Sequence, residues 1–171
     1  MATLNAGLAT LDERAGHDLG GLYLTFHLKS EICGIPILTI QEIIGMMPVT
    51  KIPKTPDFVR GVVNLRGKVI PVVDLRCKFG MESQEDTERT CIVVVRVDLE
   101  GMQTITGLIV DSVSEVVNIP SEQTEPPPEL GASTHCEYLD GVGKIGDKVV
   151  LLLDVTRIVF RGEAAPEEEQ M

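Results

Sequence analysis

Tryptophan is absent, and tyrosine and phenylalanine supply only two and four of the 171 residues. Without large rings, a core must be packed by Val, Ile and Leu, which favours strands. The same poverty argues against a stand-alone binder of proline-rich peptides, whose groove needs aromatic walls. Histidine is scarce too. His17, His27 and His135 offer no spacing that would bring three or four ligands to a metal, and no cofactor motif accompanies them. There is no glycine-rich phosphate loop and no nucleophile elbow. Clustered lysines and arginines are missing, and the formal net charge is −11, which excludes wrapping nucleic acid. Cys33, Cys77, Cys91 and Cys136 are scattered, with no C-x-x-C pair. No apolar run approaches the roughly 20 residues of a membrane span. The start, Met1-Ala2-Thr3-Leu4, has neither the basic region nor the apolar stretch of a secretory signal. A cytoplasmic chain with reduced thiols and no membrane insertion is expected.

What the sequence does contain is a pattern written twice. Gly34-Ile35-Pro36-Ile37-Leu38-Thr39-Ile40-Gln41-Glu42-Ile43-Ile44 is echoed by Gly107-Leu108-Ile109-Val110-Asp111-Ser112-Val113-Ser114-Glu115-Val116-Val117. In the same order, the block from Gly61 to Leu75 is echoed by the block from Gly141 to Val155. Two matched blocks predict two similar lobes. The interval between them is longer in the second half, residues 118–140 against 45–60, and the excess corresponds to Glu125-Pro126-Pro127-Pro128-Glu129-Leu130-Gly131. The copies also differ at one turn. Asn64-Leu65-Arg66-Gly67 becomes Lys144-Ile145-Gly146-Asp147, so the arginine belongs to the first copy only.

Residues 1–20 read as a flexible leader and 161–171 as an acidic, solvated tail. Strands are expected over residues 22–28 and on through 37, at 62–65 and 69–73 around the Arg66-Gly67 hairpin turn, at 90–97 and 102–110 around Glu100-Gly101, and at 148–153. Residues 40–44 suit either one helical turn or a strand continuing past a bend. Pro48, Pro53 and Pro56 make residues 46–60 mostly loop. Asp74 and Asp154 are each placed to cap a short helix, over 75–79 and 155–160. The fold class is all-β: two small five-stranded barrels with few helical turns, lobe one over about 30–80 and lobe two over about 90–160. Which lobe holds the first strand stays open.

No catalytic set emerges. His135-Cys136 is the one tempting pair, but neighbours in a strand point to opposite faces, and a thiol enzyme is not expected. Three features suit a binding surface instead. Arg66 at a hairpin tip can make forked bonds to carboxylates, although turn arginines are commonly just solvated. Glu42 is bordered by apolar residues, and its twin Glu115 points to a shared structural role. Pro126-Pro127-Pro128 is either a polyproline ligand or, more ordinarily, a stiff loop.

These residues resemble the CheW-like coupling proteins of bacterial chemotaxis. The resemblance rests on Ile40-Gln41-Glu42-Ile43, on Thr55-Pro56-Asp57-Phe58-Val59-Arg60-Gly61-Val62-Val63-Asn64-Leu65-Arg66-Gly67, and on Pro71-Val72-Val73-Asp74-Leu75-Arg76 with Lys78-Phe79. Gly107 to Asp111, Val113 to Val116 and Leu139-Asp140-Gly141-Val142-Gly143 extend it across residues 20–160. It implies two packed SH3-like β-barrels, no enzymatic activity, and an adaptor that links the tips of transmembrane chemoreceptors to the regulatory domain of the histidine kinase CheA. Pairing of barrel ends into rings, with other copies of such adaptors included, and recruitment to receptor arrays are further implications. A receptor groove formed by Ile37, Ile40, Glu42, Asn64, Leu65 and Arg66 is expected, with Gly61 and Gly67 shaping its turns. Arg66 and Glu42 are expected to pair across the groove wall. An adaptor of a specialised, non-flagellar chemosensory array is the alternative. Residues 161–171 are too few for the receiver domain of a CheV-like variant.

Overall fold

The computed structural model describes residues 18–81, 85–127 and 138–159. Eleven strands form two sheets: β1 (Gly21–Leu28), β2 (Glu31–Pro36), β3 (Ile40–Gly45), β4 (Val59–Leu65), β5 (Lys68–Asp74), β6 (Cys91–Leu99), β7 (Met102–Val110), β8 (Ser112–Ile119), β9 (Thr124–Glu125), β10 (Leu139–Ile145) and β11 (Lys148–Leu153). The helical pieces among the described residues include α1 (Leu75–Lys78), α2 at residues 155–159 and 3-10 turns at Ile37–Thr39 and Ser121–Gln123. The chain is thus all-β, in two lobes of SH3-like type, as expected.

The first lobe is the sheet β3-β6-β7-β5-β4; the second is β8-β1-β2-β11-β10-β9. The expected division near residues 80–90 does not match these sheets. Hairpin β6–β7 inserts between β3 and β5 of the first lobe, and hairpin β1–β2 inserts between β8 and β11 of the second. Relative to the sequence repeat, each half lends its leading hairpin to the other. The insertion is made by parallel pairing, Val72 against Gly107 in one lobe and Leu152 against Gly34 in the other. Parallel neighbours need a long connection: α1 and β6 lie between β5 and β7, and β3 to β10 lie between β2 and β11. The repeated glycine lies at this junction. A Cβ on Gly107 would sit 2.7 Å from Ile92 Cγ2, and one on Gly34 would meet Val150 and Leu152.

Three apolar clusters follow from strand alternation. Val63, Ile70, Val72, Ile92, Val94 and Ile109 fill the first lobe. Tyr23, Ile119, Val150 and Leu152 fill the second. The opposite faces of the same strands, among them Phe26, Ile35, Val73, Val93, Val95, Leu108 and Leu153, pack together between the lobes. Strands buried on both faces read as continuous apolar runs such as Cys91 to Val95, not as polar–apolar alternation.

Both expected caps are present. Asp74 Oδ1 accepts from Arg76 N at 3.0 Å, and Asp154 Oδ1 from Arg157 N at 3.3 Å. Residues 40–44 are strand, entered through a 3-10 turn at Ile37–Thr39. Residues 46–58 form no strand, although Thr50 bridges to Val62. The leader to residue 17, the tail, Pro128 and His135-Cys136 lie outside the described residues.

Candidate functional site

The β4–β5 turn is a two-residue connection with both central residues in the left-handed region, Arg66 at φ 52 and Gly67 at φ 89. Such turns match the twist of the strands they join, and Gly takes the second position without penalty. Asn64 Oδ1 accepts from Gly67 N at 2.8 Å and closes the turn from within. Arg66 Nη2 then donates to Glu42 Oε2 of β3. Because β3 and β4 are the two edges of the first sheet, this ion pair spans the gap between them. A bulge in β3 between Ile40 and Glu42 re-aims the strand. Ile40 packs against the cluster between the lobes, whereas Ile44 packs inside the first lobe. Glu42 is partly shielded, and the Arg66 side chain stays 68% exposed.

The expected site residues thus fall into four groups. Glu42, Asn64, Arg66 and Gly67 meet at the turn. Leu65 turns inward and packs with the first-lobe core. Ile37 and Ile40 border the core between the lobes. Gly61 lies within β4 and not in a turn. Its φ is +146, and a Cβ there would lie 2.2 Å from the Thr50 carbonyl oxygen. Gly141 stands as closely against the Glu125 carbonyl, so the repeated glycine admits an extra backbone pairing at each lobe's edge, the isolated Thr50–Val62 bridge in the first lobe and β9 in the second. The repeat does not extend to the ion pair: Glu115 is exposed, and the turn position matching Arg66 is Gly146, which has no side chain to offer.

A second charged constellation was not anticipated from the sequence. Arg76, completely buried, donates from Nε to Asp74 Oδ1 at 2.9 Å, from Nη2 to Asp74 Oδ2 at 3.0 Å, and from Nη1 to Asp111 Oδ1 at 2.9 Å. Arg60 Nη2 reaches Asp74 Oδ2 at 2.9 Å, and both arginines contact Asp86. Burial raises the Asp74 carboxyl, but the bonds from Arg76 and Arg60 outweigh it and hold its pKa below the ordinary value. Asp86 is lowered chiefly by its bond from Arg60. The clue lay in Asp74-Leu75-Arg76, read above only as a cap. Beyond α1, the Lys78 ammonium lies 3.9 Å from the Phe58 ring centroid, and Phe79 stacks on Tyr138 at 5.5 Å.

The three thiols among the described residues are poorly placed for nucleophilic chemistry. Burial pushes Cys33 up to about 12 and also raises Cys77 and Cys91. Among the described residues no His, Cys, Asp and Glu cluster has a metal-binding arrangement, and no helix is long and apolar enough to cross a membrane.

With this geometry in place, comparison with known proteins is decisive. The CheW-like domain family matches residues 22–162. The chain belongs to that family. It is 41% identical to the chemotaxis protein CheW of Klebsiella aerogenes over 160 residues, covering 94% of each chain. The Helicobacter pylori CheW is 36% identical, with 80% of each chain covered. The crystal structure of the scaffolding protein TtCheW from Thermoanaerobacter tengcongensis superposes with a TM-score of 0.71 at 34% identity, over 80% of this chain and 90% of that one. A chemotaxis scaffold of the CheW-like family, acting through its surfaces and not as an enzyme, is the coarse function these likenesses support.

Proposed function

We propose that this chain is an adaptor that couples the cytoplasmic tips of transmembrane chemoreceptors to the histidine kinase CheA. The observation that carries this reading is the Glu42–Arg66 pair bridging the two edge strands of the first lobe, within a chain of the CheW-like family. Ile37 and Ile40 supply apolar surface near the seam between the lobes. Asn64 and Gly67 hold the turn that presents Arg66. Such a division suits a binding groove: apolar walls supply affinity, and a few charged groups set orientation. Two similar but unequal lobes also provide two different end surfaces, which a ring with the kinase regulatory domain or with further copies requires. The chain would work in the cytoplasm, recruited to receptor arrays.

The test is a binding measurement with a receptor signalling tip and with the regulatory domain of CheA, comparing wild type with Arg66→Ala. Binding of both by wild type, with selective loss of the receptor tip in the variant, supports the reading. Failure of wild type to bind either partner overturns it.

A further inference from the structure

A cavity of about 740 Å3 opens beside Asp111, lined by the β1–β2 turn of the second lobe and by the segment that leads into β6 of the first. Its size lies within the ~300–1,000 Å3 range of ligand sites. Both walls are held in place. On one side Asp111 accepts from Lys29 N. Lys29 keeps a left-handed backbone, φ 58, at the first position of a two-residue turn, where glycine would be unstrained. Such strain persists only where the surrounding structure over-determines it. On the other side Asp86 is tied to Arg60 and Arg76. Next to it the chain closes a tight turn, with Thr87 N donating to Thr90 Oγ1 at 2.8 Å and Arg89 N to Thr87 Oγ1 at 3.0 Å. Arg89 thus lines the cavity from a braced segment, with its side chain exposed.

The charges in this cavity are not matched in pairs. Asp111 is already engaged, one oxygen by Arg76 Nη1 and the other by Lys29 N. Arg89 and Glu85 line the same space, yet among the described residues neither forms an ion pair. A compact anion bound at Arg89 would also meet the Glu85 charge. A peptide separates its groups along its length. Its carboxylate can make forked bonds to Arg89, its backbone N–H groups can serve Glu85, and its carbonyls can meet the hydroxyls of Thr87 and Ser112. No aromatic ring lines the cavity, so a nucleobase or an aromatic anchor would find nothing to stack on. We propose that this cavity docks an acidic segment of a partner protein, a Glu or Asp flanked by small polar residues, with Arg89 as the carboxylate anchor. The cavity shares no lining residue with the Glu42–Arg66 turn, so this inference does not rest on the adaptor reading.

The test uses the full chain and the tripeptide N-acetyl-Ser-Glu-Ser-amide, followed by amide NMR shifts. Saturable shifts at Lys29, Thr87, Arg89 and Ser112 are expected in wild type, with at least fivefold weaker binding of N-acetyl-Ser-Gln-Ser-amide. Arg89→Gln should weaken the acidic peptide at least fivefold while leaving the urea midpoint of unfolding unchanged, because the fold uses only the backbone N–H of that residue. Arg96→Gln, which removes an exposed cation outside the cavity, should leave binding as it is. Absence of shifts in wild type overturns the proposal. Equal weakening by both variants reduces the effect to general charge and also overturns it. Inorganic phosphate that displaces the peptide at equal or lower concentration would make this a small-anion site, against the proposal. Peptide binding that appears only after deletion of residues 160–171 would make the chain's own acidic tail the occupant and equally overturn it.

Discussion

Arg76 in α1 donates to Asp111 Oδ1 at 2.9 Å, and Asp111 is the residue at which the chain passes from β7 of the first lobe to β8 of the second. The other oxygen of Asp111 accepts from Lys29 N in the β1–β2 turn, and its own N–H donates to His27 O at 3.0 Å. One carboxylate therefore ties the helix of one lobe to a hairpin turn of the other. The apolar seam alone leaves the angle between the lobes soft, since burial is non-directional. A directed, buried bond restricts it.

Because the Arg76 guanidinium is wholly buried, removing its main acceptor is expensive. Asp74→Asn leaves a cation short of a partner and weakens the α1 cap as well. A loss of about 3–5 kcal/mol is expected in urea unfolding. A loss under about 1 kcal/mol would show that solvent reaches the guanidinium.

Asp74 and Asp86 have folded pKa values below their ordinary 3.8. A depressed carboxyl adds stability that is complete above the unfolded value and fades as pH falls through the folded one. Stability should thus be insensitive to these two groups from pH 7 to about 5 and should drop on acidification below about 4. In Asp74→Asn that acid-induced drop should be smaller. Urea midpoints measured from pH 7 to 2.5 check both statements.

The Arg66–Glu42 pair is largely solvent-accessible on the arginine side, so its direct contribution to folding should be only ~0–1 kcal/mol. Arg66→Ala and Glu42→Gln, singly and together, should shift the urea midpoint little. Receptor-tip affinity should fall at least tenfold in the arginine variant. Equal losses of binding and stability would make the pair merely structural.

Gly61 and Gly67 separate two kinds of glycine requirement. At Gly61 a methyl group collides with the Thr50 carbonyl and φ is +146, whereas at Gly67 the space is open. Gly61→Ala should therefore destabilise by more than the roughly 1–3 kcal/mol of backbone strain alone, and Gly67→Ala by no more than that strain. Thermal unfolding of the two variants gives the comparison.

Cys33, with its thiol pushed up to about 12, should resist alkylation at pH 8 until the protein unfolds. Cys77 and Cys91, less deeply buried, should react before Cys33 does. Peptide mapping after brief iodoacetamide treatment distinguishes them.

The sequence by itself determined the strand-rich class, the twofold repeat, both capped helices and the Arg66 turn. Each depends on local chemistry: branched apolar runs, a carboxylate before a helix, a glycine at a left-handed position. It also placed Glu42 and Arg66 as partners through the family resemblance, 24 residues apart in the chain. Tertiary structure decided the rest. The exchange of hairpins between lobes was not readable, because β1–β2 and β6–β7 are near-equivalent ribbons and either lobe offers an edge that would accept them. Only parallel registration beside Gly34 and Gly107 selects the arrangement. The Arg60–Asp74–Arg76–Asp86–Asp111 network escaped for the same reason. Its members are ordinary surface residue types in sequence, and only folding gathers them around the buried Arg76 and Asp74, where low dielectric makes their bonds count.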